Sequence, residues 1–267
     1  MQAVCIIGNL MCLIAIAWKT DARRPLILAG NRDEFHARPT DPASFWRDAP
    51  DIIGGRDLTA GGSWLGVRAN GRFAAVTNYR DRLDPPSEAR SRGHLVGDFL
   101  RGDMSPQVFM AEVAADVDRY AGFNLFVGDR DTLAYYSNRD TDWRRLDRGV
   151  YLLSNAALDA PWPKIERLRR AFTRELAERP EADIDALLAL LNDREPAPDA
   201  ELPETGLPPE RERLLSAPFI VSPEYGTRAS SVLTRDDTDR ITFVERGFNP
   251  AGCPLETRKF TFKPRST

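Results

Sequence analysis

A thiol, a guanidinium and a carboxylate are the first groups in this chain that could do chemistry together. Cys12 directly follows Met11 and opens a short apolar run over residues 12–18. A second apolar run, 26–29, leads into Gly30-Asn31-Arg32-Asp33-Glu34. If the two runs pair as a hairpin, Arg32 and Asp33 return beside Cys12. An initiator methionine is removed when the next residue is small, and cysteine qualifies, so a chain begun at Met11 would mature with Cys12 at its N-terminus. The α-amine would then lie within reach of its own sulfur. Such an amine titrates near roughly 8 and can act as a general base. A thiol with its base in the same residue is the compact form of an activated nucleophile. A guanidinium near the sulfur favours thiolate, and a carboxylate can hold and orient the amine. Adjacent residues of an extended strand point to opposite faces. Either the chain turns at residues 32–33, or only one of the pair faces the thiol.

Two further groups extend this set. Asn78 ends the run Ala74-Ala75-Val76-Thr77-Asn78, and its amide N–H is a suitable donor to the oxyanion of a tetrahedral intermediate. Arg228, within Tyr225-Gly226-Thr227-Arg228-Ala229-Ser230-Ser231, offers a planar fork for a carboxylate. His36 and His94 are the only histidines, and they form no conventional triad. No Cys/His cluster has zinc spacing. The glycines of residues 54–66 are not a phosphate loop, because no Gly-Lys-Ser/Thr ends them. Of the three cysteines, Cys5 lies upstream of the presumed start, and Cys253, between Gly252 and Pro254, reads as structural.

The elements that must position these residues follow from pattern and turn chemistry. Residues 12–18 and 26–29 read as strands joined by the polar turn 21–25. Residues 35–51 carry Pro39, Pro42 and Pro50 and read as a surface loop. The glycines between 54 and 62 allow a close backbone approach. Residues 64–67 and 73–77 read as strands joined at Asn70-Gly71, a type I′ turn signal. Residues 94–100 have helical spacing, and Ser105-Pro106 opens a helix to about residue 120. Three strands follow at 123–127, 132–137 and 150–154. Residues 163–179 form an amphipathic helix with Ile165, Leu168, Phe172 and Leu176 on one face, and Asp183 caps another over 184–191. Residues 194–213, rich in Pro, Glu and Arg, read as a mobile linker. Strands at 219–221, 228–234, 241–246 and 259–263 close the chain. Composition and order alone give an α+β protein.

Met11-Cys12-Leu13-Ile14, then Gly30-Asn31-Arg32-Asp33-Glu34, then Gly61-Gly62-Ser63-Trp64-Leu65-Gly66 resemble the NRDE family, also called the Transport and Golgi organisation protein 2 family. That family resembles the N-terminal-nucleophile (Ntn) hydrolases, especially cysteine amidases such as penicillin V acylase and bile salt hydrolase. The likeness covers Cys12 to about Phe262. It implies a four-layer αββα sandwich of two antiparallel sheets, with Cys12 as nucleophile of linear amide hydrolysis. It further implies that Arg32 and Asp33 occupy the place of an Arg and an Asp at the end of the second strand, although the amidases separate theirs by two residues. By the same resemblance Asn78 and Asn155 match two oxyanion asparagines, and Arg228 matches a late-chain arginine pointing into the pocket. Asn31, Glu34 and Trp64 belong to family motifs without an assigned catalytic step. Members of the family are linked to heme handling and to lipid or acyl-CoA metabolism, which implies an alternative: a non-catalytic carrier holding heme or an acyl ligand in the same pocket, with Cys12 as the obvious iron ligand. No CxxCH motif is present. A scaffold with a dead site is the third reading.

The bulk numbers bound these readings. A chain of 267 residues is enough for one sizeable domain and short for two. Residues 1–11 read as a misassigned start or a propeptide, and 12–267 as one domain. Hydrophobic content of 42% and charged content of 29% are those of a soluble globular protein. The net charge of −3 gives no basic footprint for nucleic acid. An odd, low cysteine count fits a reducing compartment, here the cytoplasm. No Lys or Arg precedes Lys19, so the basic start of a secretory signal is missing, and the apolar run is too short to span a bilayer. No cofactor is required by the hydrolase reading, and the expected partner is a small amide or acyl substrate.

Overall fold

Strict alternation along the first strand decides which way the layers stack. In the computed structural model, which describes residues 12–80, 88–179 and 181–264, Ile14, Ile16 and Trp18 point into one apolar cluster and Leu13, Ala15 and Ala17 into another. This is the period-2 pattern of a strand buried on both faces. The expectations for residues 1–11, Cys5 included, lie outside the described residues.

In chain order the elements are β1 (Cys12–Asp21), β2 (Arg24–Phe35), β3 (Thr40–Trp46), β4 (Ala49–Asp57), β5 (Leu65–Arg68), β6 (Phe73–Asn78), α1 (Gly93–Arg101) and α2 (Pro106–Ala115). They continue as β7 (Phe123–Gly128), β8 (Leu133–Ser137), β9 (Arg144–Leu146), β10 (Gly149–Leu153), α3 (Pro163–Glu178), α4 (Ile184–Leu190), α5 (Pro209–Leu215), β11 (Tyr225–Arg235), β12 (Ile241–Phe248) and β13 (Pro254–Phe262). One antiparallel sheet runs β10-β1-β2-β11-β12-β13, and the other runs β3 to β9 in sequence order. Between them lies a core that includes Trp18, Trp64, Phe73, Phe126 and Phe243. Leu95, Phe99 and Phe109 of α1 and α2 cover the outer face of the seven-stranded sheet. Ile165, Leu168, Phe172 and Leu187 of α3 and α4 cover the six-stranded one. The architecture is the expected αββα sandwich. Among the described residues, no helix is long and apolar enough to cross a membrane.

Several elements differ from the sequence reading, each for a physical reason. Residues 35–51 are not a loop: β3 and the start of β4 lie there. Pro42 is accommodated because β3 is a sheet edge, where a missing N–H is tolerated. The β5–β6 turn is not type I′, since Gly71 has φ +90° while Asn70 is not left-handed. Arg68 N donates to Arg72 O and Gly71 N to Arg68 O, the pattern of a three-residue hairpin with a glycine bulge. The second helix ends at Ala115 and is followed by a single 3-10 turn, Val117–Arg119. Residues 219–221 are not a strand, and the last two strands extend to Phe248 and back to Pro254. The stretch 194–213 is held by side chains rather than left as a linker. It contains most of α5, and Arg80 Nη1 reaches Glu212 Oε2 at 2.7 Å with both side chains buried.

Gly62 is the glycine whose lack of a side chain matters most at the site. A Cβ there would lie 2.4 Å from the carbonyl carbon of Gly93, where the β4–β5 connection crosses the start of α1. Gly62→Ala is therefore expected to lower stability by about 1–3 kcal/mol through forced backbone separation, read as a lower denaturation midpoint. An unchanged midpoint would contradict this packing.

Candidate active site

β1 and β2 place the motif residues by register. Cys12 pairs with Arg32 and Leu13 with Asn31, so Cys12 and Arg32 share a face. Arg32 and Asp33 do point opposite ways, as alternation requires. Arg32 and Glu34 face the space between the sheets, with Arg32 Nη2 3.2 Å from Glu34 Oε2. Asn31 and Asp33 face the helical layer. Asn31 Nδ2 donates to Leu191 O and Pro218 O, and its Oδ1 accepts from Ser230 Oγ. Its role is to fasten both ends of the segment between α4 and β11 to the sheet.

Asp33 stands one register step beyond the Cys12–Arg32 pair, close enough for its charge to act on the Cys12 sulfur. Its Oδ1 accepts from Thr227 Oγ1 at 2.6 Å, whereas Oδ2 is buried and, among the described residues, has no hydrogen-bond partner. Burial pushes this carboxyl above the usual range, opposed by the Thr227 bond and by the charges of Lys164 and Arg32. Lys164, at the start of α3, is 2% exposed and donates to Leu215 O. Burial pulls its ammonium down, and Arg80 adds to this. Nothing in the sequence marked Lys164: it lies beside the apolar stripe of α3, where a lysine ordinarily reaches solvent.

Cys12 and Asn78 line one cavity of about 930 Å³ that opens between the sheets. Arg228 also lines it, placed by a bulge: Asp33 pairs with Thr227 and Arg32 with Ala229, leaving Arg228 as the extra residue. A bulge of this kind re-aims a side chain. Its Nη1 donates to Phe35 O and Arg38 O, and among the described residues it forms no ion pair. Arg32 and Arg38, by contrast, both contact Glu34, and Arg38 contacts Asp57 as well. Trp64 supplies apolar wall and packs against Gly30. Glu245, on β12, also faces the cavity and was not anticipated. It accepts from Ala43 N at 2.6 Å, and burial raises its carboxyl.

Asn155 is placed differently from Asn78. It is fully buried, does not line the cavity, and its Nδ2 donates to Asn78 O at 2.8 Å. His36 Nε2 and His94 Nε2 lie against the carbonyls of Ser222 and Ala60, outside the lining. Cys253 is exposed, at a turn closed by Asn249, and away from the cavity. Among the described residues, no group of three or more His, Cys, Asp or Glu side chains could hold a metal ion.

With a residue still attached before it, Cys12 has no amine. Burial, reinforced by the Asp33 charge and opposed by Arg32, pushes its thiol up to about 12. The thiol is then neutral at pH 7. The alkylation rate of such a chain is expected to rise about tenfold per pH unit from 7 to 10, because only the thiolate reacts. A rate that levels off by pH 8 would contradict this.

The chain matches the family model described as Transport and Golgi organisation 2 over residues 11–250. It is 37% identical over 255 residues to the Transport and Golgi organization protein 2 homolog of Bos taurus, covering 88% of this chain and 92% of that protein. It is 36% identical over 260 residues to the homolog of Homo sapiens, covering 90% and 93%. Among solved structures it is similar to the Caenorhabditis elegans ortholog of N-acylethanolamine-hydrolyzing acid amidase (TM-score 0.46, 13% identity, 83% of this chain and 92% of that one). It is also similar to a mutant conjugated bile acid hydrolase from Clostridium perfringens (TM-score 0.39, 8% identity, 95% and 97%).

Proposed function

Because this chain belongs to the Transport and Golgi organisation 2 family, whose name states no reaction, its chemistry must come from its site, and we propose that it is an N-terminal-nucleophile cysteine hydrolase of linear amides. The observation that carries this reading is the buried Oδ2 of Asp33, which has no hydrogen-bond partner among the described residues, on the residue one register step from the Cys12–Arg32 pair. A buried carboxylate oxygen without a donor is expensive. An α-ammonium on Cys12 would supply the missing donor and charge, and removal of the residues before Cys12 would create it.

The steps then follow from the groups in place. The Cys12 α-amine takes the thiol proton, and the sulfur bonds to the amide carbon. Negative charge moves to the carbonyl oxygen, where the Asn78 amide and a main-chain N–H receive it. Collapse breaks the C–N bond, and the α-ammonium gives its proton to the leaving nitrogen. Water, deprotonated by the same amine, attacks the thioester and releases the acid, restoring the thiol. Arg32 stabilises the thiolate, and Asp33 holds the amine. Arg228, which has no carboxylate partner among the described residues, is available to an acidic group of the substrate. The test is hydrolysis of a panel of N-acyl amides by the chain beginning at Cys12. Release of free amine that depends on Cys12 supports the reading, and its absence across the panel removes it.

A second reading has one observation in its favour: while a residue precedes Cys12, the thiol is held neutral in a roomy cavity. Such a chain would act as a carrier of an acidic ligand, heme or an acyl-CoA among them. Titration with heme decides it for that ligand. A saturable Soret shift that is lost in Cys12→Ala favours the carrier with Cys12 as the iron ligand. No saturable shift removes heme.

A further inference from the structure

The two halves of the site sit on different sheets: Cys12, Arg32, Asp33 and Arg228 on one, Asn78 on the other. Apolar packing holds sheets together without strong directional preference. An oxyanion donor, however, must sit within tenths of an ångström of where charge develops. Something directional has to fix Asn78 relative to Cys12.

A continuous buried hydrogen-bonded chain crosses from one sheet to the other at this point. Tyr135 Oη, on β8, donates to Asn124 Oδ1 at 2.7 Å. Asn124 Nδ2, on β7, donates to Thr77 Oγ1 at 3.3 Å and to Ala156 O at 3.1 Å. Thr77 Oγ1, on β6, donates to Ser154 O at 2.8 Å. The Ser154 hydroxyl, just past β10, lies 3.1 Å from Cys12 O and 3.0 Å from Asn155 Oδ1, and its single proton serves one or the other. Asn155 Nδ2 donates to Asn78 O, and Arg80 N donates to Asn155 O at 2.7 Å. Tyr135, Asn124, Thr77, Ser154 and Asn155 are all buried. In such a setting each bond is strong and each loss is felt by its neighbours.

We infer that Thr77, Ser154 and Asn155 are positioning residues: through this chain they set the separation between the Cys12 nucleophile and the Asn78 oxyanion donor. This rests on the hydrolase reading. It gives Asn155 a different task from the oxyanion role implied by family resemblance, since its amide is turned onto the Asn78 carbonyl rather than into the cavity.

Two probes of Cys12 separate positioning from general loss of structure. Acylation by p-nitrophenyl acetate passes through an oxyanion, whereas alkylation by iodoacetamide is a direct displacement and builds none. In Thr77→Val and Ser154→Ala, acylation is expected to fall about tenfold or more while alkylation stays within about twofold. Thr77→Ser, which keeps the hydroxyl, is expected to restore most of the acylation rate. Parallel falls in both rates, or no fall in either, overturn the inference. If the parent chain is not acylated at all, the hydrolase reading fails on its own. The inference is then decided by crystal structures of parent and Thr77→Val: a changed Cys12–Asn78 separation upholds it, and an unchanged one overturns it.

Discussion

Cys12→Ala is expected to abolish amide hydrolysis, by about 10³-fold or more, in a protein that still folds. The sulfur is the only atom in this scheme that bonds to the substrate, and no neighbour can replace it. The hydroxyls nearby are engaged, that of Ser154 with Cys12 O or Asn155 Oδ1 and that of Ser63 with Leu65 O, and neither shares its residue with a terminal amine. Folding should survive because the substitution removes one atom from the edge of the inter-sheet cluster, a change of about 1 kcal/mol. Turnover within about tenfold of the parent would place the chemistry elsewhere.

Glu212→Leu is expected to lower stability by about 3–5 kcal/mol, a large effect for a change away from the cavity. The Arg80–Glu212 pair is buried on both sides, at 3% and 5% exposure, and Thr205 bonds to Glu212 as well. Arg80 also stacks on Trp162. Burial already pulls its guanidinium down, and Glu212 is what opposes that. Removing the carboxylate alone takes from this buried cation the counter-charge that lies 2.7 Å from it. Replacing both, Arg80→Met with Glu212→Leu, removes the charge as well and should recover most of the loss. Thermal unfolding reads this as a drop of roughly 10 °C for the single variant and a smaller one for the double. A single variant as stable as the parent, or a double variant worse than the single, would contradict it. The pair matters to the site because it anchors α5, whose Leu215 carbonyl receives Lys164.

What could be read from the sequence was what local pattern encodes. The apolar run from Cys12 and the run into Arg32 required only period-2 alternation to pair, and the same alternation left two alternatives, a turn at residues 32–33 or only one of the pair facing the thiol, of which the register shows the second. The paired helices followed from spacing and caps, and Ser105 and Asp183 do accept from Val108 N and Ala186 N; the two layers of strands were implied by the family resemblance. What could not be read depends on partners far along the chain. Glu212 is buried because Arg80, 132 residues away, meets it, so a stretch that composition marks as linker becomes part of the wall behind Asp33. Lys164 carries no periodic signature, and Glu245 sits in a strand whose other residues dominate the pattern. Asn78 and Asn155 look alike as polar residues ending strands. Only the packed sheets separate one that lines the cavity from one that braces it.

The central claim is that Cys12 works with its own free amine, held by Asp33. Intact-mass spectrometry of the purified chain, before and after exposure to an acyl donor, tests it most directly. The account predicts a mass beginning at Cys12 and, after exposure, a single acyl adduct that maps to Cys12 and is absent from Cys12→Ala. A chain that keeps residue 11 and carries no adduct would contradict it.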